Sequence, residues 1–169
     1  MAQSAEAKAG KAERLVFLAR AIARRTPGFT ETKGAGRGDE ATAAFMKNLR
    51  KVAKATFGCD YSEAKLCGST NLAVDFYFPD ERTVVEIAFG LRNPNSEYER
   101  DIFKCLMAKS SGFAVDRLLF VSKPGAEKQQ SSPGQKAIAD YVKERCDLTI
   151  EIDEIDGTPE EASPSTPAK

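Results

Sequence analysis

The sequence predicts a mixed α/β domain in which helices flank a mixed sheet. Two observations indicate this: stretches with apolar residues at helical spacing alternate with short apolar runs typical of strands, and the later runs are separated by helices. At 169 residues the chain has the length of one domain. We place that domain at residues 11–156. We expect residues 1–10 to be flexible and residues 157–169, which hold three prolines, to be disordered.

Two amphipathic helices open the domain. Residues 11–25 carry an apolar stripe at helical spacing, and a glycine-rich basic loop follows at residues 30–38. The second helix is predicted from about residue 39 to residue 57, with Asp39 as its N-cap and Gly58 as its stop.

A β-hairpin is the next predicted unit. Its strands are residues 71–78 and 82–89, and a Pro-Asp-Glu-Arg turn at 79–82 connects them. Residues 60–67 are ambiguous and are compatible with a short additional strand.

The rest of the domain alternates between helices and strands. We predict a helix from residue 96, capped by Ser96 or Asn95, to about residue 109, and another helix over 133–145. Strands are predicted at residues 117–122, a nearly continuous apolar run, and 148–152. The resulting order is two helices, a short strand, the hairpin, and then helix, strand, helix, strand.

Composition excludes several classes of chemistry. The chain has no histidine, which rules out Ser-His-Asp and Cys-His mechanisms. Its four cysteines lack CxxC spacing, so a structural zinc site is not expected, and we interpret them as reduced thiols. With no long apolar run and no signal-peptide core, we expect no membrane association and a cytoplasmic location.

The charge is balanced overall but unevenly distributed. Residues 1–58 hold twelve Lys/Arg against five Asp/Glu, and residues 147–169 hold seven acids against one lysine. A basic front suits contact with a polyanion, and an acidic tail could screen one; both are equally compatible with ordinary solvated surfaces.

Asp75 and Glu86 are the candidate metal ligands. Each carboxylate sits in the middle of an apolar strand, and counting from the turn places them near each other. Two carboxylates can hold Mg²⁺ against a phosphate. The plainer interpretation is that both are solvent-facing acids on half-exposed strands.

The stretches VDFYF, VVEIAFG and RNPNSEYERDIFK, all within residues 74–104, resemble the PD-(D/E)XK superfamily of restriction-endonuclease-like nucleases, most closely type II enzymes with variant sites. The resemblance covers about residues 39–122. It implies a core of helix, three antiparallel strands, helix and strand, with Asp75 and Glu86 as ligands of Mg²⁺. It also implies DNA as the substrate and a homodimer as the assembly.

Ala88 departs from the family pattern, because it stands where Lys, Glu or Gln would help to activate water. Three interpretations remain open. Another residue has taken this role, or the protein is a slow nuclease that lacks the group. The third is that it is an inactive relative of nucleases with a binding role. Lys104, on the following helix, is our candidate for the missing group, and Lys65 is the alternative.

DNA contacts are predicted from a set of basic residues. They are Lys33, Arg37, Lys47, Arg50, Lys51 and Lys54. The last four are spaced as one helical stripe that could follow phosphates, although the solvated side of an amphipathic helix has the same pattern.

Two functions therefore compete. The first is a Mg²⁺-dependent DNA endonuclease with Asp75, Glu86 and Lys104 in its site. The second is a catalytically inactive member of the fold that binds nucleic acid or protein.

Overall fold

The structure, a computed structural model, describes residues 9–26, 29, 40–94 and 96–157. The predictions made for residues 1–8, for the glycine-rich loop with Lys33, Arg37 and Asp39, for Asn95 and for residues 158–169 lie outside the described residues.

The mixed α/β class is confirmed. The helices are α1 (Lys11–Arg25), α2 (Glu40–Phe57), α3 (Glu97–Ser110), α4 (Ala126–Gln130) and α5 (Pro133–Cys146). The strands are β1 (Ser62–Ala64), β2 (Val74–Phe78), β3 (Thr83–Ile87), β4 (Arg117–Ser122) and β5 (Thr149–Glu154). From α2 to β4 the order is helix, three strands, helix, strand, the order that the resemblance implies. Helix α4 was not predicted, because five residues are too few to show a helical period.

The five strands form one open sheet in the order β1-β2-β3-β4-β5. The pairs β1–β2 and β2–β3 are antiparallel, while β4 is parallel to both β3 and β5. The predicted hairpin joins β2 to β3 through a 3₁₀ turn at Pro79–Glu81, and Arg82 closes the turn with a positive φ of 50°. Both hairpin strands are shorter than predicted.

Two apolar clusters cover the two faces of the sheet. Helices α1 and α2 contribute Leu15, Phe45 and Leu49 to the first cluster. Helices α3 and α5 contribute Tyr98, Cys105 and Val142 to the second. Strand β4 is buried on both faces, as its apolar run predicts.

The hairpin turn also anchors the start of α1. The carboxylate of Glu81 accepts hydrogen bonds from the backbone N–H groups of Lys11 and, at 3.1 Å, Ala12. The Lys11 ammonium pairs with Asp80. The first N–H groups of a helix have no intrahelical acceptors. The N-cap residue Gly10 has no side chain that could accept from them, so the Glu81 carboxylate serves as the acceptor.

All four cysteines are free, as expected. Within the described part of the chain, no helix is long and apolar enough to span a membrane.

Candidate active site

Asp75 and Glu86 meet at one end of the hairpin. The ladder between β2 and β3 pairs Phe78 with Thr83 and Phe76 with Val85, and the next position along holds the two acids. There the side chains reach across between the strands. The Ile87 N–H donates to Asp75 Oδ2 at 2.9 Å, and the Asp75 N–H points to Glu86 Oε2 at 3.4 Å.

Lys104 reaches this pair from α3. Its Nζ donates to Glu86 Oε1 at 3.1 Å and lies 2.9 Å from Asp101 Oδ1, one helical turn earlier. The side chains of Glu86 and Asp101 are each only 3% exposed, and that of Lys104 is 11% exposed. The structure therefore brings together all three residues predicted for the catalytic site.

Neither Ala88, the position that lacks the basic group, nor Lys65, the alternative candidate, places a charged group beside the two acids. Ala88 is buried in the apolar cluster under α3 and α5, and its carbonyl oxygen accepts a hydrogen bond from the Ser122 hydroxyl. Lys65 follows β1 and is exposed to solvent.

Burial and mutual repulsion dominate the electrostatics of the acids. Burial raises the pKa of the Glu86 carboxyl well above its usual range, and the negative charges of Asp75 and Asp101 add to this. Burial also raises the pKa of Asp75, although the Ile87 N–H and the Lys104 ammonium favour its ionised form. Glu97, at the start of α3, is a fourth acid nearby, and burial raises its pKa, with Asp101 adding to the effect.

Lys104 is firmly protonated. Burial alone would lower its pKa, but Glu86 and Asp101 more than offset that effect, so the pKa of Lys104 lies above its usual value. One buried ammonium thus faces several carboxyl groups, two of which, Asp75 and Glu86, have raised pKa values.

The donor set fits a hard divalent cation. Asp75 and Glu86 are cross-strand neighbours, and each carboxylate lies against a backbone N–H of the opposite strand; a cation would relieve the repulsion between them. Among the described residues, no group of three or more His, Cys, Asp or Glu side chains forms a ready-made ligand cluster. Mg²⁺ commonly binds through one or two carboxylates, with water and substrate phosphate completing its shell.

The predicted basic stripe on α2 does not form one uniform face. Lys47 and Lys51 are exposed, while Lys54 is paired with Asp60 at 3.3 Å. Arg50 turns toward the candidate site, where its Nη1 lies 2.6 Å from Glu63 Oε1 and its Nη2 lies 3.7 Å from Asp75 Oδ1.

Sequence reasoning gave Asp101 no definite place in the site. The pattern that could have placed it is the i, i+3 spacing of Asp101 and Lys104, which puts both on one side of α3. Arg100, the residue before Asp101, is mostly exposed, and its Nε lies 3.5 Å from Asp101 Oδ1.

No family model, curated protein or solved structure shows significant similarity to this chain.

Proposed function

We propose that the protein is a Mg²⁺-dependent endonuclease that hydrolyses phosphodiester bonds of DNA, with Lys104 in the role that Ala88 cannot perform. The observation that carries the proposal is the Lys104 Nζ at 3.1 Å from Glu86, which is itself the cross-strand neighbour of Asp75. Two carboxylates and a lysine are the chemical groups of the nuclease family that the sequence resembles. A cytoplasmic location belongs to the same proposal.

Each side chain has a distinct part in this proposal. Asp75 and Glu86 would hold Mg²⁺. When bound, the ion would neutralise phosphate charge and lower the pKa of the attacking water. Lys104 keeps its proton at neutral pH because its pKa is raised, so it would act as a fixed positive charge that orients water and stabilises the developing negative charge. Asp101 positions Lys104.

A second candidate function rests on the burial of the site. Glu86 and the Lys104 ammonium are almost completely enclosed. The ion pairs of Lys104 with Glu86 and Asp101 could therefore serve only to stabilise the fold. The same fold would then serve as a binding module for nucleic acid or protein, without catalysis.

Cleavage of plasmid DNA distinguishes the two functions. We expect the wild type to cut DNA with Mg²⁺ or Mn²⁺ and not with EDTA. Asp75→Asn should abolish cleavage, and Lys104→Met should reduce its rate by about 100-fold or more, the typical loss for one stabilising group. Lys65→Met, the matched control, should cut at the wild-type rate.

Two results would contradict the proposal. If the folded wild type cuts no DNA with either metal, the binding module is favoured. If cleavage survives Asp75→Asn unchanged, the activity does not come from this site. The resemblance also implies a homodimer, and sedimentation at the concentrations of the assay tests that part separately.

A further inference from the structure

Arg50 enters the candidate site from α2, and its guanidinium is only partly engaged there. Nη1 is in close contact with Glu63, but Nη2 lies 3.7 Å from Asp75, beyond hydrogen-bonding distance. Nε is buried and has no hydrogen-bond partner among the described residues. Arginine carries five N–H donors in a rigid fork, so much of the donor capacity of Arg50 is unused.

Glu63 is a weak partner for this arginine. Its side chain is 62% exposed and that of Arg50 is 33% exposed, and ion pairs this open to water contribute little to stability. Glu63 also has a positive φ of 49°, which is uncommon for a residue with a side chain. Another anion could therefore replace the Glu63 carboxylate at small cost.

We propose that Arg50 binds a backbone phosphate of the DNA substrate beside the hydrolytic site, exchanging its contact with Glu63 for one with the phosphate. The inference rests on the proposed function, because the Mg²⁺ that Asp75 and Glu86 would hold is what would bring a phosphate to this place. A phosphate held next to Asp75 lies within reach of a guanidinium whose Nη2 is already 3.7 Å from that carboxylate. Planar, bidentate donors suit phosphate oxygens better than a single ammonium does.

DNA binding, measured apart from cleavage, tests this role. A short fluorescent DNA duplex is titrated over a range of salt concentrations with Ca²⁺, a hard cation that carboxylates also bind, in place of Mg²⁺, and again in EDTA. Arg50→Met should weaken binding by about tenfold and lower the slope of log K against log salt by about one. Arg50→Lys should restore most of the slope but less of the affinity, because it keeps the charge and loses the fork.

Two further variants separate binding from a structural tie. Glu63→Gln removes the competing carboxylate and should tighten DNA binding several-fold. Lys143→Met, an exposed lysine of α5 on the opposite face of the sheet from α2, is the matched control and should change affinity by less than about threefold. Circular dichroism melting confirms that each variant is folded.

The inference is overturned if folded Arg50→Met keeps both the affinity and the salt slope of the wild type. It is also overturned if Glu63→Gln weakens binding, because Arg50 would then serve only to tie α2 to β1. These outcomes are distinct from a failure of the proposed function. A protein that binds no Mg²⁺ but loses salt slope in Arg50→Met still supports the phosphate contact.

Discussion

At the scale of single residues, Ala88 and Lys104 make this site different from the pattern that the sequence resembles. The Ala88 side chain is fully buried in an apolar cluster, where an unpaired ammonium would be costly. Lys104 avoids that cost, because it reaches Glu86 along a four-carbon stem and finds a second carboxylate on its own helix. The lysine beside the two acids thus comes from α3 and not from the segment just after β3.

The raised pKa of Glu86 gives a prediction about stability. A carboxyl whose pKa is higher in the folded state than in the unfolded state binds more protons when folded, so it weakens the folded state as the pH rises. In the absence of metal, Glu86→Gln should therefore have a higher Tm than the wild type at neutral pH. The difference should shrink as the pH falls toward about 4.3, the ordinary pKa of glutamate.

Thermal melting of both proteins between these pH values measures the effect. Glu144→Gln, on the exposed side of α5, is the control and should follow the wild type at every pH. A Glu86→Gln variant that is less stable than the wild type at neutral pH would show that the charged form of Glu86 stabilises the fold.

At the scale of elements, the contact of Glu81 with α1 makes the hairpin turn part of the packing of the first helix. Glu81→Ala would leave the N–H groups of Lys11 and Ala12 without their acceptor. We expect a loss of about 1 kcal/mol in the free energy of unfolding, the usual cost of losing a helix cap. Urea denaturation measures it.

Asp80→Ala is the matched control, one residue earlier in the same turn. It removes only the ion pair of Asp80 with the Lys11 side chain, and the Asp80 side chain is more than half exposed. Its cost should stay below that of Glu81→Ala, because solvated ion pairs contribute little. Equal losses in the two variants would contradict the capping role.

The elements also show which parts of the structure local sequence can predict. Helix α1 and strand β4 begin and end at the predicted residues, because each has a clear apolar pattern and a strong boundary. The position of the two acids followed from the short turn, which fixes the register of the hairpin. By contrast, Arg50 and Glu63 meet through the packing of α2 beside β1, and no local pattern encodes that contact.

At the scale of the whole molecule, the uneven charge of the sequence is partly neutralised by folding. Arg20 of the basic front pairs with Asp153 of β5, near the acidic end of the chain. Arg117 of β4 joins Glu13 of α1 to Glu151 of β5. The basic and acidic ends therefore meet across the first layer of helices and the sheet. Counting charges along the sequence does not by itself locate a surface for DNA.

Calorimetric titration shows whether Asp75 and Glu86 together bind Mg²⁺, as we propose. Mg²⁺, and Mn²⁺ in a parallel experiment, is titrated into the metal-free wild type and into Asp75→Asn, after melting curves show that both are folded. We expect saturable binding to the wild type and its loss in Asp75→Asn, because one carboxylate alone is a poor site for a hard cation. No binding by the wild type, or equal binding by the variant, would contradict the claim.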